Sequence, residues 1–189
     1  MYEANKYSFE LDGTMVKLLE EEFDVEKITS KFAEAVAGKG PDEVEAQGKS
    51  IFEAYGRDWM KRTHQLGEEY PDRTYEVLKE MIDSCDGYYK FSLLPQRFIE
   101  IAYLSVMEFT TLPVIENNAD RLIYRIVDCS LYKKLKEKCG DEVAAALPCR
   151  HACLTACETI HRDLDVDAII RMDASMPKEG YCEFSARKV

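Results

Sequence analysis

Apolar residues recur at helical spacing through the first part of the chain. Between Met15 and Ala37 the stretch VKLLEEEFDVEKITSKFAEAV repeats hydrophobic positions every three or four residues, which predicts two short amphipathic helices. AGKGPDE interrupts that pattern, and Pro41 is suited to the first turn of a following helix because the ring's fixed φ fits and no N–H is lost there. A long helix is expected over roughly 41–67, with Ile51, Phe52, Tyr55, Trp59 and Met60 on its apolar side. A break near Glu69 to Asp72 leads to TYEVLKEMIDSC, where Tyr75, Leu78 and Met81 repeat at three-residue intervals. Residues 86–94 fit no single period.

From Pro95 to Met107 a helix is the preferred reading, with Phe98, Ala102, Ser105 and Phe109 on one face; the Ile, Tyr and Val content leaves a strand as the alternative. After it the period changes to two. FTTLPVIE, the turn NNAD and RLIYRIVD predict a hairpin in which Leu122, Tyr124 and Ile126 alternate inward. SLYKKLKEKCG predicts a short helix closed by Gly140, and Pro148 opens another that runs to about Asp163. DAIIRMDASM, PKEG and YCEFSARKV predict a second hairpin. The expected class is α+β: a helical N-terminal segment over 1–94, then a Cys-containing half over 95–189 with an antiparallel sheet of two hairpins packed on helices, both within one continuous globular domain. The lead-in over residues 1–15 is expected to order against a partner.

Composition narrows the partners. The 189-residue chain is 46% hydrophobic and 32% charged, enough to bury a core. Thirty-six acids against 25 bases give a formal charge of -11, which argues against nucleic acid and against anionic membranes. MYEANKYSFELDGTM has no secretory pattern, and no apolar run approaches the roughly 18 residues of a membrane span, so a cytoplasmic protein is expected. In such a reducing compartment the seven cysteines are expected as thiols or ligands rather than disulfides.

The candidate chemistry centres on CRHACLTACETIH, where Cys149, Cys153, Cys157 and His161 follow one another at four-residue spacing. On a helix they share a face, but twelve residues rise about 18 Å, far too much for bonds of about 2.3 Å to one zinc ion. A metal could therefore take only adjacent rungs, such as Cys149 and Cys153, and would complete its shell from Cys129 and Cys182; zinc and an iron–sulfur cluster are the two candidates. The competing reading is packing: Ala152, Cys153, Ala156 and Cys157 make a small-residue stripe that would let the helix lie close to a sheet. Cys149 opens the helix, where unpaired N–H groups lower a thiol pKa, and is the best nucleophile candidate. His151 is its nearest base, although a regular helix would turn it away from the thiol. His161 is expected at an exposed helix end, and His64 among solvated charges.

RLIYRIVDC, PCRHACLTAC and IIRMDASMPKEGYCEF, read as one pattern over residues 121–184, resemble the C-terminal portion of the L-2-amino-thiazoline-4-carboxylic acid hydrolase-like family. The matching positions are Cys129 closing a strand, Cys149 opening the long helix, and Cys182-Glu183-Phe184 in the last hairpin. Gly180 and Cys182 also resemble the end of 4-vinyl-reductase domains. The chain departs from the hydrolase pattern where an Asp would follow the helix-opening Cys: Arg150, His151 and Thr155 stand there, with no acid before Glu158. The resemblance implies a pocket between sheet and helix lined by Cys129, Cys149 and Cys182, and hydrolysis of a cyclic amidine C–N bond. Cys149 would attack, His151 would supply a proton, and Arg125 and Arg171 would bind the substrate carboxylate.

Three functions are therefore in contention. One is a cysteine-dependent hydrolase of a small nitrogen- or sulfur-containing metabolite. The second is a metal, iron–sulfur or small-ligand sensor module built on the Cys cluster. The third is an interaction protein whose N-terminal helices pair with another copy of the chain.

Overall fold

A computed structural model describes residues 9–84, 93–107 and 112–189. The expected two short helices are α1 (Gly13–Glu22) and α2 (Val25–Val36). Each starts where an aspartate accepts the first free N–H groups: Asp12 from Thr14 and Met15 at 2.7 and 3.2 Å, and Asp24 from Glu26 and Lys27 at 2.7 and 3.3 Å. Pro41 occupies the first turn of α3 (Pro41–Glu69), and α4 (Thr74–Ser84) follows. α5 (Leu93–Val106) is a helix, which resolves the helix-or-strand ambiguity of that stretch. It is nearly buried all round, so helical amphipathicity is blurred there and the Ile and Tyr content looked strand-like. Arg97 on α5 anchors the α3–α4 connection by reaching the Asp72 carboxylate at 2.6 Å and the Gly67 carbonyl at 2.5 Å.

The two hairpins are present. β1 (Val114–Asn117) and β2 (Arg121–Ile126) form the first; β3 (Ala168–Ala174) and β4 (Cys182–Lys188) form the second, joined through the short helix α8 (Met176–Glu179) rather than a simple turn. They merge into one antiparallel sheet of order β1-β2-β4-β3, in which Tyr124 pairs with Phe184 and Phe184 with Met172. The first hairpin was expected to begin at Phe109; residues 109–111 lie outside the described residues, as do residues 1–8 of the expected lead-in. Between the hairpins run α6 (Ser130–Ala145) and α7 (Arg150–Asp163). Gly140 does interrupt α6, at φ 82°, but helical structure resumes through Ala145 instead of ending. The fold is α+β, mostly helical, with the sheet's inner face buried against helices.

α7 was expected to lie close to a sheet through its small residues. Its closest approach is to α3 instead. A Cβ on Gly56 would fall 2.1 Å from the Ala152 carbonyl oxygen, and one on Gly48 would fall 2.6 Å from the Pro148 side chain. Two glycines eight residues apart on α3 thus let the start of α7 press against its backbone. That contact turns the cysteines toward α5 and the sheet.

Candidate functional site

The inward face of the sheet presents Leu122, Tyr124 and Ile126 from β2 and Cys182, Phe184 and Ala186 from β4, all buried. Tyr124 stacks on Phe184 with centroids 5.6 Å apart, and Tyr103 of α5 meets Tyr124 edge-on at 6.1 Å. Against this aromatic layer α7 lays Cys149, Cys153 and Cys157. Cys153 neighbours the Tyr103 hydroxyl and Cys157 the Tyr124 hydroxyl. Cys129, at the start of α6, and Cys182, at the start of β4, complete the layer, and Cys129, Cys149, Cys153 and Cys182 all lie within electrostatic reach of one another.

Their chemistry differs from expectation. Burial pushes Cys129 and Cys157 up to about 12, raises Cys153 and Cys182, and raises Cys149 well above the usual thiol range; neighbouring sulfurs add to the rise at Cys149. Cys149 was expected to be acidified by the helix start. It is 4% exposed, however, and the loss of hydration outweighs the helix N-terminus. These sulfurs are neutral thiols at pH 7, behaving as small apolar groups with weak hydrogen-bonding capacity.

Nor does a base stand beside Cys149. His151 reaches across to α3, with Nε2 2.9 Å from a Glu45 carboxylate oxygen that also accepts from Arg150. With its Nε2 engaged on α3, His151 is not drawn to the thiol of Cys149. His161 is 2% exposed rather than at a solvated helix end; its Nδ1 lies 2.8 Å from the Cys157 carbonyl oxygen, and burial lowers its pKa. His64 is half-buried, its ring 4.7 Å from that of Phe98.

Arg125 and Arg171 could bind a substrate carboxylate only if they faced the pocket, the solvated sheet face being the commoner place for each. Both stand on the opposite, outer face of the sheet. The register puts Arg125 opposite Glu183 and Arg171 opposite Ser185, one position out of phase with the buried set. Arg125 Nε donates to Glu183 at 2.7 Å and its guanidinium stacks 4.4 Å over the Tyr181 ring. Neither arginine can meet a ligand in the thiol layer.

Among the described residues no group of three or more His, Cys, Asp and Glu side chains is placed to hold a metal ion. Four cysteine sulfurs are a donor set that zinc and iron–sulfur clusters accept, but Cys129, Cys149, Cys153 and Cys182 do not form such a group among the described residues. Cys129 has a structural duty instead: its sulfur accepts the Tyr132 N–H at 3.4 Å and so caps α6.

The residue after it, Ser130, opens onto a cleft that no sequence motif marks. Glu20, Asp24, Val25, Glu26, Val106, Ser130, Lys133 and Lys134 line a space of about 290 Å³ between the α1–α2 turn, the end of α5 and the start of α6. The Ser130 hydroxyl bonds the Met107 sulfur at 3.2 Å, and Lys134 pairs with Glu26 at 3.3 Å across the cleft. Behind this wall, the Tyr55 hydroxyl donates to the Phe23 carbonyl at 2.8 Å, and Tyr55 in turn lies near Cys153 and Cys129. The cleft therefore sits one residue layer away from the thiols.

No family model matches the chain, and no curated protein does. Two solved structures are similar. One is the crystal structure of an oxygen-binding H-NOX domain related to soluble guanylate cyclases, in its oxygen complex, at 13% identity over 93% of this chain and 90% of that one, with a TM-score of 0.32. The other is a Cs H-NOX mutant carrying 4-cyano-L-phenylalanine at site 5, at 14% identity over 93% and 91%, also with a TM-score of 0.32. At that level the likeness assigns neither family nor activity. The comparisons correct the resemblance drawn from residues 121–184: neither a hydrolase-like family nor a 4-vinyl-reductase domain is retrieved. Among the described residues no helix is long and apolar enough to cross a membrane.

Proposed function

We propose that this chain is a small-ligand-binding module of the sensor type, with its ligand in the cleft between α2 and α6 and its response transmitted through Cys129. The observation that carries this reading is the position of Cys129. Its buried sulfur caps α6, while the next residue, Ser130, lines the cleft. An occupant displacing Ser130 would strain the Cys129 cap and the Lys134–Glu26 bridge together, so that binding is converted into a shift of α6 against α2. The cleft is at the small end of ligand sites and carries both carboxylates and ammonium groups, which suits a small polar or zwitterionic molecule.

Hydrolysis by a cysteine nucleophile has no support in this arrangement. A thiolate mechanism needs an ionised sulfur beside a base, whereas Cys149 is buried and neutral and His151 is engaged by Glu45.

The test uses a panel of free amino acids as zwitterionic probes, read by thermal shift and by amide hydrogen exchange. At least one probe should raise the melting temperature and protect the first turn of α6, and Lys134→Ala should weaken that response about tenfold or more. A panel that leaves both melting and exchange unchanged would overturn the proposal.

A further inference from the structure

The outer face of the sheet has a pattern that the ligand cleft does not use. Pairing register arranges its side chains in rows across β2, β4 and β3. The first row reads Arg121, Arg187, Ile169; the second reads Ile123, Ser185, Arg171; the third begins Arg125, Glu183. Arg121, Arg187 and Arg171 therefore occupy neighbouring lattice positions at one end of the face.

Two features make this arrangement costly to the isolated chain. Arg121 and Arg187 stand directly opposite each other, and like charges so placed destabilise a sheet. Of the acids on this face, Glu116 neutralises Arg121, Glu183 pairs with Arg125 and Asp173 accepts the Ser185 hydroxyl, which leaves Arg171 and Arg187 as the uncompensated members of the cluster. Arg171 and Arg187 are exposed, and among the described residues no carboxylate pairs with either. Ile169, 47% exposed and opposite Arg187, places an apolar side chain between them. In a chain whose net charge is -11, a row of guanidinium groups interleaved with isoleucine is a local reversal of sign.

We infer that the Arg121–Arg187–Arg171 end of this sheet is a docking surface for an extended acidic segment of a partner protein. In an extended peptide every second side chain points to the same side, about 6.8 Å apart, so alternate carboxylates can all face the sheet and meet long guanidinium arms that start about 4.8 Å apart on neighbouring strands, their methylenes lying over Ile169, while the intervening side chains point to solvent. Arginine favours this use because its planar fork takes a carboxylate through two parallel hydrogen bonds. Single exposed ion pairs contribute little, so several carboxylates must engage together, and binding should fall with salt. The face points away from the cleft at α2 and α6, so this inference and the ligand reading stand or fall separately.

The experiment titrates the protein into a fluorescein-labelled (Glu-Val)5 peptide at low ionic strength and follows anisotropy. Saturable binding is expected, weakened at least tenfold by 150 mM salt and abolished by Arg171→Glu with Arg187→Glu. Arg57→Glu, on the exposed side of α3, should leave binding within twofold of the original. The inference is overturned if the peptide fails to bind, if the double substitution binds as the parent does, or if a double-stranded DNA of similar length binds more tightly than the peptide. Both substituted arginines are exposed, and circular dichroism checks that the variants remain folded.

Discussion

The two faces of the sheet share the same strands and differ in almost every physical respect. Inward, Tyr124, Phe184 and Cys182 are buried among neutral thiols and phenols, where no group is charged at pH 7 and stability comes from burial. Outward, one residue along each strand, Arg121, Arg125, Arg171 and Arg187 stand in or near water, where individual ion pairs weigh little. The difference teaches that positions adjacent in sequence, such as Arg125 and Ile126 or Cys182 and Glu183, belong to separate chemistries. A single active site drawing on both sets is excluded by the pleat.

This contrast can be broken most severely from the inside. Phe184→Ala removes a ring that is 1% exposed and stacked on Tyr124, and should cost about 3–5 kcal/mol, read from urea denaturation midpoints. Gly56→Ala acts one layer further in. Its Cβ would meet the Ala152 carbonyl oxygen, which is backbone and cannot rotate aside, so α3 and α7 must separate at a cost of about 2–3 kcal/mol. The same substitution should speed alkylation of Cys153 by iodoacetamide, because the helix covering the thiols would be loosened.

A pH series sharpens the comparison. Glu100 on α5 is 2% exposed, and burial raises its carboxyl to about 8, opposed by a hydrogen bond from Gln96. Because the folded-state value lies above the unfolded one, the folded chain keeps a proton that the unfolded chain releases between about pH 4.5 and 8. Glu100 therefore makes stability fall as pH rises through that window and level off above it. Glu100→Gln should remove this slope and leave the variant more stable than the parent at pH 8, as measured by denaturation at stepped pH.

The thiols themselves give a kinetic test. Half-buried Cys139 should react with a bulky disulfide reagent well before the buried Cys129, Cys149, Cys153, Cys157 and Cys182 in the native protein, as peptide mapping would show. Rapid labelling of Cys149 would contradict the buried, neutral character assigned to it. The smallest effect belongs to the outer face: Arg171→Ala should change stability by no more than about 0.5 kcal/mol.

Much of the fold was legible in residue order. The apolar spacing between Met15 and Ala37 marked α1 and α2, Pro41 starts α3, and Leu122, Tyr124 and Ile126 alternate along β2 as read. These are local effects, set by ring constraint and period, so neighbouring residues suffice to reveal them. The cleft at Ser130 was not legible, since its walls come from α1, α2, α5 and α6, and nothing in Glu20, Val106 or Lys134 taken separately signals a shared surface.

By itself, then, the sequence determined the helices, the hairpins and which side of each strand is apolar, because those depend on interactions a few residues long. Only the tertiary structure decided what the cysteines are. Gly48 and Gly56 bring α7 against α3, α7 buries its thiols on Tyr103 and Tyr124, and desolvation at that depth overrides the helix start that would otherwise have acidified Cys149.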